Sequence, residues 1–252
     1  MNLINQLILG DSVEELKKLP DNSVDISITS PPYNLKHLVR YDKKNNHYYH
    51  QKPYTQHVDN MENYGEFLKT IVGELIRVSK YNVFFNIQML LGNKLDVVEL
   101  LETYKHNLKD VIIWHKANAQ PSINKTQLSS QFEFIFVFSK KENCTSKPFN
   151  RAFFNNRQKG QHNPNVIYGK NSAGSGVDAM NFAVFPEYLV KWILDRFTKE
   201  GDLILDPFFG SGTVGVVAKK YKRNYLGIDI DEGYIKYAID RIDKVDVYKE
   251  WW

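Results

Sequence analysis

The stretch from Leu203 to Asp229 constrains the fold most. Leu203-Ile204-Leu205-Asp206 reads as a strand, Pro207-Phe208-Phe209-Gly210-Ser211-Gly212 as a tight turn, the residues up to Tyr221 as a helix, and Tyr225-Leu226-Gly227-Ile228-Asp229 as a second strand. Strand, glycine-rich turn, helix and strand in that order make a parallel crossover unit. The same alternation occupies the amino-terminal half. Gln6–Leu9 is a strand, Ser12 is placed to cap a short helix that ends at Pro20, and Val24–Thr29 is the next strand. Tyr64 to Val78 carries Phe67, Leu68, Ile71, Leu75 and Val78 at helical spacing; Val83–Phe85 is again strand-like and Leu90–Leu101 helix-like. Two further apolar runs, Val111–Trp114 and Phe132–Phe138, extend the sheet, and a last helix runs to about Ile242. The expected fold class is α/β, with a doubly wound, mostly parallel sheet.

With 252 residues, 42% of them hydrophobic, the chain can build one large core plus a modest insertion. The net charge of +4 is too mild to define a partner, but its distribution is uneven. Lys140 to Lys170 holds seven basic residues against the single acid Glu142, with Phe149, Phe153, Phe154 and Tyr168 interleaved. Asn34 to Asn60 lacks any period and reads as a long loop carrying Lys36, Arg40, Lys43, Lys44 and Lys52. Either basic run alone is as well explained by a solvated surface; two runs beside one pocket point to nucleic acid. The division expected is 1–139 as a catalytic half, 140–182 as a target-recognition insertion, and 183–252 as a cofactor-binding half of the same domain. One cysteine, Cys144, excludes an internal disulfide and a cysteine-built zinc site, and His47 and His50 have no suitable partners nearby, so no metal is expected. No apolar stretch approaches a bilayer span, and a cytoplasmic protein without membrane contact is expected.

Two turns carry the chemistry. Asp206-Pro207-Phe208-Phe209-Gly210-Ser211-Gly212-Thr213 lies between a strand and a helix N-terminus, where glycines admit a ligand to the backbone. Backbone geometry alone could demand those glycines. The next strand, however, ends in Asp229, placed to accept two ribose hydroxyls. The turn lacks the Lys-Ser/Thr tail of a triphosphate site and the GxGxxG spacing of a dinucleotide site, so an adenosine-containing sulfonium without phosphates fits better.

The second turn is Ser30-Pro31-Pro32-Tyr33, at the end of a strand. An aromatic amine is a poor nucleophile because its lone pair is delocalised into the ring. Two acceptors, the Ser30 hydroxyl oxygen and the Pro31 carbonyl, would draw its hydrogens and localise the lone pair toward a methyl donor, while Pro32 stiffens the turn. Tyr33 would stack on a base taken out of the duplex.

With both turns in hand, the chain resembles the exocyclic-amino (cytosine-N4 and adenine-N6) DNA methyltransferases in their beta-group order: the SPPY motif, then the recognition region, then FxGxG. Leu9-Gly10-Asp11-Ser12 is similar to the family segment at the adenine moiety of the cofactor, and Phe185-Pro186-Glu187 to the one at its methionine end. The resemblance implies S-adenosylmethionine as cofactor, held by Asp11, Asp206, Phe208, Gly210, Gly212, Thr213 and Asp229, and catalysis by Ser30, Pro31, Pro32 and Tyr33. DNA contacts are expected from Lys36, Arg40, Lys43, Lys44, Lys147, Arg151, Arg157 and Lys159. Double-stranded DNA is the expected partner, with a second copy of the chain and a cognate restriction enzyme as further partners the family admits. Ser at the first motif position resembles cytosine-N4 enzymes, whereas Asn34-Leu35 is similar to adenine enzymes; the reading leans to cytosine. An RNA or protein-amide N-methyltransferase and a non-catalytic nucleic-acid-binding module are the competing classes.

Overall fold

The computed structural model describes residues 3–34, 39–42, 47–50, 61–117, 126, 128–144, 148–149, 151–153, 163–170 and 185–246, with backbone only for 39–42 and 47–50. Its strands are β1 (Gln6–Leu9), β2 (Ile26–Thr29), β3 (Val39–Asp42), β4 (His47–His50), β5 (Asn82–Ile87), β6 (Leu108–Lys116), β7 (Phe132–Ser139), β8 (Val166–Gly169), β9 (Leu203–Asp206) and β10 (Asn224–Asp229). The helices are α1 (Ser12–Lys18), α2 (Tyr64–Val78), α3 (Lys94–Thr103), α4 (Glu187–Phe197), α5 (Thr213–Lys220) and α6 (Glu232–Asp243).

Eight strands form one sheet in the order β1-β10-β9-β2-β5-β7-β6-β8. β7 runs antiparallel to both its neighbours, and every other pairing is parallel. β2, β5 and β9 are buried along their whole length, as expected of central strands covered on both faces. Alternate residues serve opposite cores. Ile26, Ile28, Phe84 and Ile204 face a cluster built with α4, α5 and α6, whereas Val83, Phe85, Leu203 and Leu205 face one built with α1, α2 and α3. Among the described residues three helices on each face make the sheet doubly wound. At the β9–β2 boundary the winding reverses, because β9 leads outward to β10 and β1 and β2 leads the other way to β5; crevices of this kind open at the carboxyl edge and bind ligands.

Three local expectations change. Asp11, not Ser12, caps α1: its side chain accepts from the Val13 and Glu14 amides, while the Ser12 hydroxyl donates to the Pro207 carbonyl at 2.5 Å. The stretch read as a plain loop contains two four-residue strands, β3 and β4, paired antiparallel and too short to show a period in the sequence. The region assigned wholly to an insertion contributes β8, which extends the sheet by pairing with the end of β6. No helix among the described residues is long and apolar enough to cross a membrane.

Candidate active site

The glycine-rich turn is tied down from three sides. Asp206, at the end of β9, is only 6% exposed; its Oδ1 accepts from the Thr29 hydroxyl at 2.7 Å and the Phe208 amide at 3.1 Å. Burial pushes its carboxyl up to about 7, against the opposing pull of those two donors. Gly210 adopts φ +48° and donates its amide to Asp229 Oδ2 at 2.7 Å; Asp229 Oδ1 accepts from the Asp231 amide at 2.9 Å. Burial likewise raises the Asp229 carboxyl. Gly210 and Asp231 donate to different oxygens of Asp229, so the carboxylate, with about four acceptor sites, can still take hydroxyls. Gly212, at φ +78°, begins α5, and a Cβ there would lie 2.7 Å from that of Ala238. Its glycine serves helix packing. The Gly210 position is open, with nothing closer to a would-be Cβ than the Phe208 carbonyl at 3.9 Å. An adenosyl group with a ribose diol and no phosphate fits this donor and acceptor set.

Phe208 turns toward α2, its ring 5.8 Å from that of Phe67, and Thr213 is buried at the start of α5. Asp11 sits beside Asp229, because the Gly10 amide donates to the Asp229 carbonyl at 2.9 Å, and spends its Oδ1 on the cap of α1. Arg241, which the sequence did not single out, donates from α6 to the Ser211 carbonyl at 2.6 Å and pairs with Glu187 at 3.5 Å. It joins the Gly-rich turn to the Phe185-Pro186-Glu187 segment.

The Ser30–Tyr33 turn leaves β2 at the same rim. Its later carbonyls are occupied: the Tyr64 hydroxyl donates to Pro32 O at 2.6 Å, and the Asn93 amide to Tyr33 O at 2.8 Å. Asn34 follows at φ +53°, a conformation asparagine tolerates, and exchanges hydrogen bonds with the Met61 backbone. Among the described residues no donor reaches Pro31 O, the carbonyl assigned to the amine. The Tyr33 ring is half-buried, and its hydroxyl donates to Glu133 Oε2 at 2.7 Å, 3.0 Å from Ser30 Oγ. Burial and the Glu133 carboxylate push the phenol well above its usual range, which keeps it a donor. Asn86, Lys116 and Glu133 around it were not anticipated. The available signals were a lone acid in the aromatic strand Phe132-Glu133-Phe134 and an asparagine in a fully buried strand.

Of the expected DNA contacts, Arg151 is corrected. It is 9% exposed, bonded to Asp202 at 2.5 Å and paired with Asp25 at 3.5 Å, with its guanidinium stacked over the Tyr81 ring. Asp25 and Asp202 precede β2 and β9, so Arg151 lies at the amino edge of the sheet, opposite the two turns. The neighbouring Phe149 packs on Phe197 of α4, which makes this part of the basic stretch core rather than recognition surface. Lys36, Lys43, Lys44, Lys147, Arg157 and Lys159, and the side chains of Arg40, His47 and His50, lie outside the described residues. Among the described residues no group of three or more His, Cys, Asp or Glu side chains could hold a metal ion. Burial raises the Cys144 thiol, the wrong direction for a nucleophile.

A family profile described as DNA methylase matches residues 24–240. Among curated proteins, the Type II methyltransferase M.Cfr9I of Citrobacter freundii is 34% identical over 148 residues, 55% of this chain and 45% of that protein. M.XycI of Xanthomonas campestris pv. cyanopsidis is 35% identical over 141 residues, 54% of this chain and 44% of its own length. The chain therefore matches less than half the length of either relative. Among solved structures, the cytosine-N4-specific PvuII DNA methyltransferase superposes with a TM-score of 0.68 at 19% identity, over 94% of this chain and 85% of that one. The M1.HpyAVI–SAM complex gives 0.60 at 24% identity, over 94% and 98%. Both likenesses concern the fold.

Proposed function

The chain belongs to the DNA methylase family, and from that premise we propose that it transfers a methyl group from S-adenosylmethionine to the exocyclic amino nitrogen of a base in double-stranded DNA, cytosine N4 in preference to adenine N6. One observation carries the reading: the Ser30–Tyr33 and Asp206–Thr213 turns leave adjacent parallel strands at one rim and are joined there by the Thr29–Asp206 hydrogen bond. The turn assigned to the donor and the turn assigned to the acceptor are thereby neighbours.

The cofactor supplies an electrophilic methyl on a sulfonium. Asp229 accepts its ribose hydroxyls, and the open face at Gly210 admits it to the backbone. On the acceptor side, Ser30 Oγ and Pro31 O take the two amine hydrogens and turn the nitrogen lone pair out of the ring plane. Tyr33 offers a ring face to the base, which must leave the stack because its amino group is out of reach within duplex DNA. The S–methyl bond breaks as the N–methyl bond forms, leaving a neutral thioether, and the methylated amine, now acidic, gives up its proton afterwards, so positioning outweighs general-base catalysis. Ser30 at the first motif position supports cytosine by resemblance, since a Ser-first motif is similar to that of cytosine-N4 enzymes.

Labelled-cofactor methylation of duplex DNA and of RNA, followed by single-molecule sequencing of the DNA product, tests the proposal. Modified cytosine N4 in duplex DNA is expected, and Asp229→Ala should weaken cofactor binding. Label entering RNA alone would overturn the substrate assignment, and modified adenine would overturn the choice of base.

A further inference from the structure

Behind the Ser30–Tyr33 turn lies a chain of polar side chains for which the reading above has no use. Glu133 Oε2 accepts from the Tyr33 hydroxyl, and Glu133 Oε1 accepts from Lys116 Nζ at 3.1 Å, with both members of that ion pair 9% exposed. Asn86 Nδ2 lies 2.7 Å from Tyr33 Oη, 2.7 Å from Glu133 Oε2 and 3.4 Å from Ser30 Oγ. Strand register explains the assembly. Asn86 stands opposite Ile135 and Trp114 opposite Glu133; the two-residue period then puts Asn86, Glu133 and Lys116 on one face, at the rim where β2 ends.

Proton counting fixes the direction along the Ser30–Tyr33–Glu133 line, into which the Asn86 amide donates at all three oxygens. Glu133, paired with Lys116, is an acceptor only. Tyr33 has one proton and gives it to Glu133, so its oxygen accepts, from the Asn86 amide and from the Ser30 hydroxyl. The Ser30 proton then points inward to Tyr33, and with the Asn86 amide at 3.4 Å on the inner side Ser30 Oγ keeps a lone pair for the outside. A buried ion pair amid aromatic residues is a poor device for stability, because its desolvation cost offsets most of its attraction.

We propose that Glu133 is a positioning residue for methyl transfer: anchored by Lys116, it draws the Tyr33 proton and, through Tyr33, the Ser30 proton inward, so that Ser30 Oγ meets the target amine as a fixed acceptor. The inference rests on the role given to Ser30 above. It assigns a specific consequence to Glu133→Gln. The glutamine oxygen would face Lys116 and its amide would face Tyr33, so the phenol loses its carboxylate acceptor, and with Asn86 presenting its NH2 group Ser30 Oγ is the acceptor left to it. The chain would reverse and occupy the lone pair that the amine needs.

The test is single-turnover methyl transfer to duplex DNA by the full chain, alongside cofactor affinity by calorimetry and thermal unfolding. Glu133→Gln and Tyr33→Phe should each slow transfer on the order of 10- to 100-fold, with cofactor affinity and KM for DNA unchanged. In a Ser30→Ala background, Glu133→Gln should cause no further loss. Tyr33→Phe decides the matter if Glu133→Gln unfolds, because it leaves the Lys116–Glu133 pair intact and keeps the ring. Wild-type rates in both variants alongside a slow Ser30→Ala would overturn the relay and leave Ser30 in place, as would a full additional loss in the Ser30→Ala background. A wild-type rate in Ser30→Ala itself would remove the reading on which the relay depends.

Discussion

The Thr29 hydroxyl donates to Asp206 Oδ1 at 2.7 Å across 177 residues of sequence, in a place where Thr29 has no exposure at all. It ties the residue before the Ser30–Tyr33 turn to the residue that opens the glycine-rich turn. Thr29→Val keeps the shape and removes the donor, leaving Asp206 Oδ1 with the Phe208 amide. A lost bond to a buried carboxyl costs about 1–3 kcal/mol. Because the Thr29 bond holds the Asp206 carboxyl down, its loss moves that group further up. Urea denaturation should therefore show a larger loss at pH 8, where Asp206 is ionised, than at pH 5.5, where it is protonated. Equal losses at the two pH values would contradict the assignment.

Asp206 itself weakens the protein that carries it. Its carboxyl is raised in the folded state from 3.8 to about 7, so between those values the native state keeps a proton that the unfolded chain has released. Stability then falls as pH rises through the window, and the full penalty is present above pH 7. Asp206→Asn preserves the acceptor for Thr29 and Phe208 and removes the charge. Calorimetry without cofactor should find the variant more stable than the wild type at pH 8, by an amount on the order of a few kcal/mol, with the gap closing toward pH 5. Its affinity for S-adenosylmethionine should fall at the same time. A gap independent of pH would show that Asp206 is ionised throughout.

What could be read from the residues was whatever depends on neighbours in the chain. The apolar stripe from Tyr64 to Val78 has a helical period and becomes α2 with those bounds. Both turns stood out because proline and glycine limit the backbone locally. The cap of α1 moved by one residue, since Asp11 and Ser12 are both good caps and only the packing of Ser12 on Pro207 separates them. β8 was hidden by the charge around it. The polar chain behind Tyr33 was out of reach altogether, because Ser30, Asn86, Lys116 and Glu133 come together only once β2, β5, β7 and β6 are in register. Arg151 looked like its basic neighbours for the same reason: Asp25 and Asp202, which neutralise it, are remote in sequence.

The two glycines of the turn should fail in different ways. At Gly212 the φ of +78° combines with a contact of 2.7 Å between a new Cβ and Ala238, so Gly212→Ala carries both backbone strain and overpacking, about 3 kcal/mol together. At Gly210 the φ of +48° stands alone, and Gly210→Ala should cost about 1 kcal/mol while the added methyl narrows the open face. Thermal unfolding should thus single out Gly212→Ala, and calorimetric titration with S-adenosylmethionine should single out Gly210→Ala. A Gly210→Ala variant with unchanged affinity would move the cofactor away from that face.

Arg151 offers a test of which basic residues serve DNA. Removing one member of a buried ion pair leaves the other charge uncompensated, at a cost of about 3–5 kcal/mol. Arg151→Leu should therefore lower the denaturation midpoint substantially, because Asp202 is 5% exposed on its side chain and would lose its guanidinium partner. DNA binding should respond differently. Each phosphate contact contributes close to one unit to the slope of log affinity against log salt, and a residue at the amino edge of the sheet contributes none. The slope measured for folded Arg151→Leu should match that of the wild type. A slope smaller by about one would return Arg151 to the DNA interface and place duplex on the edge opposite the two turns.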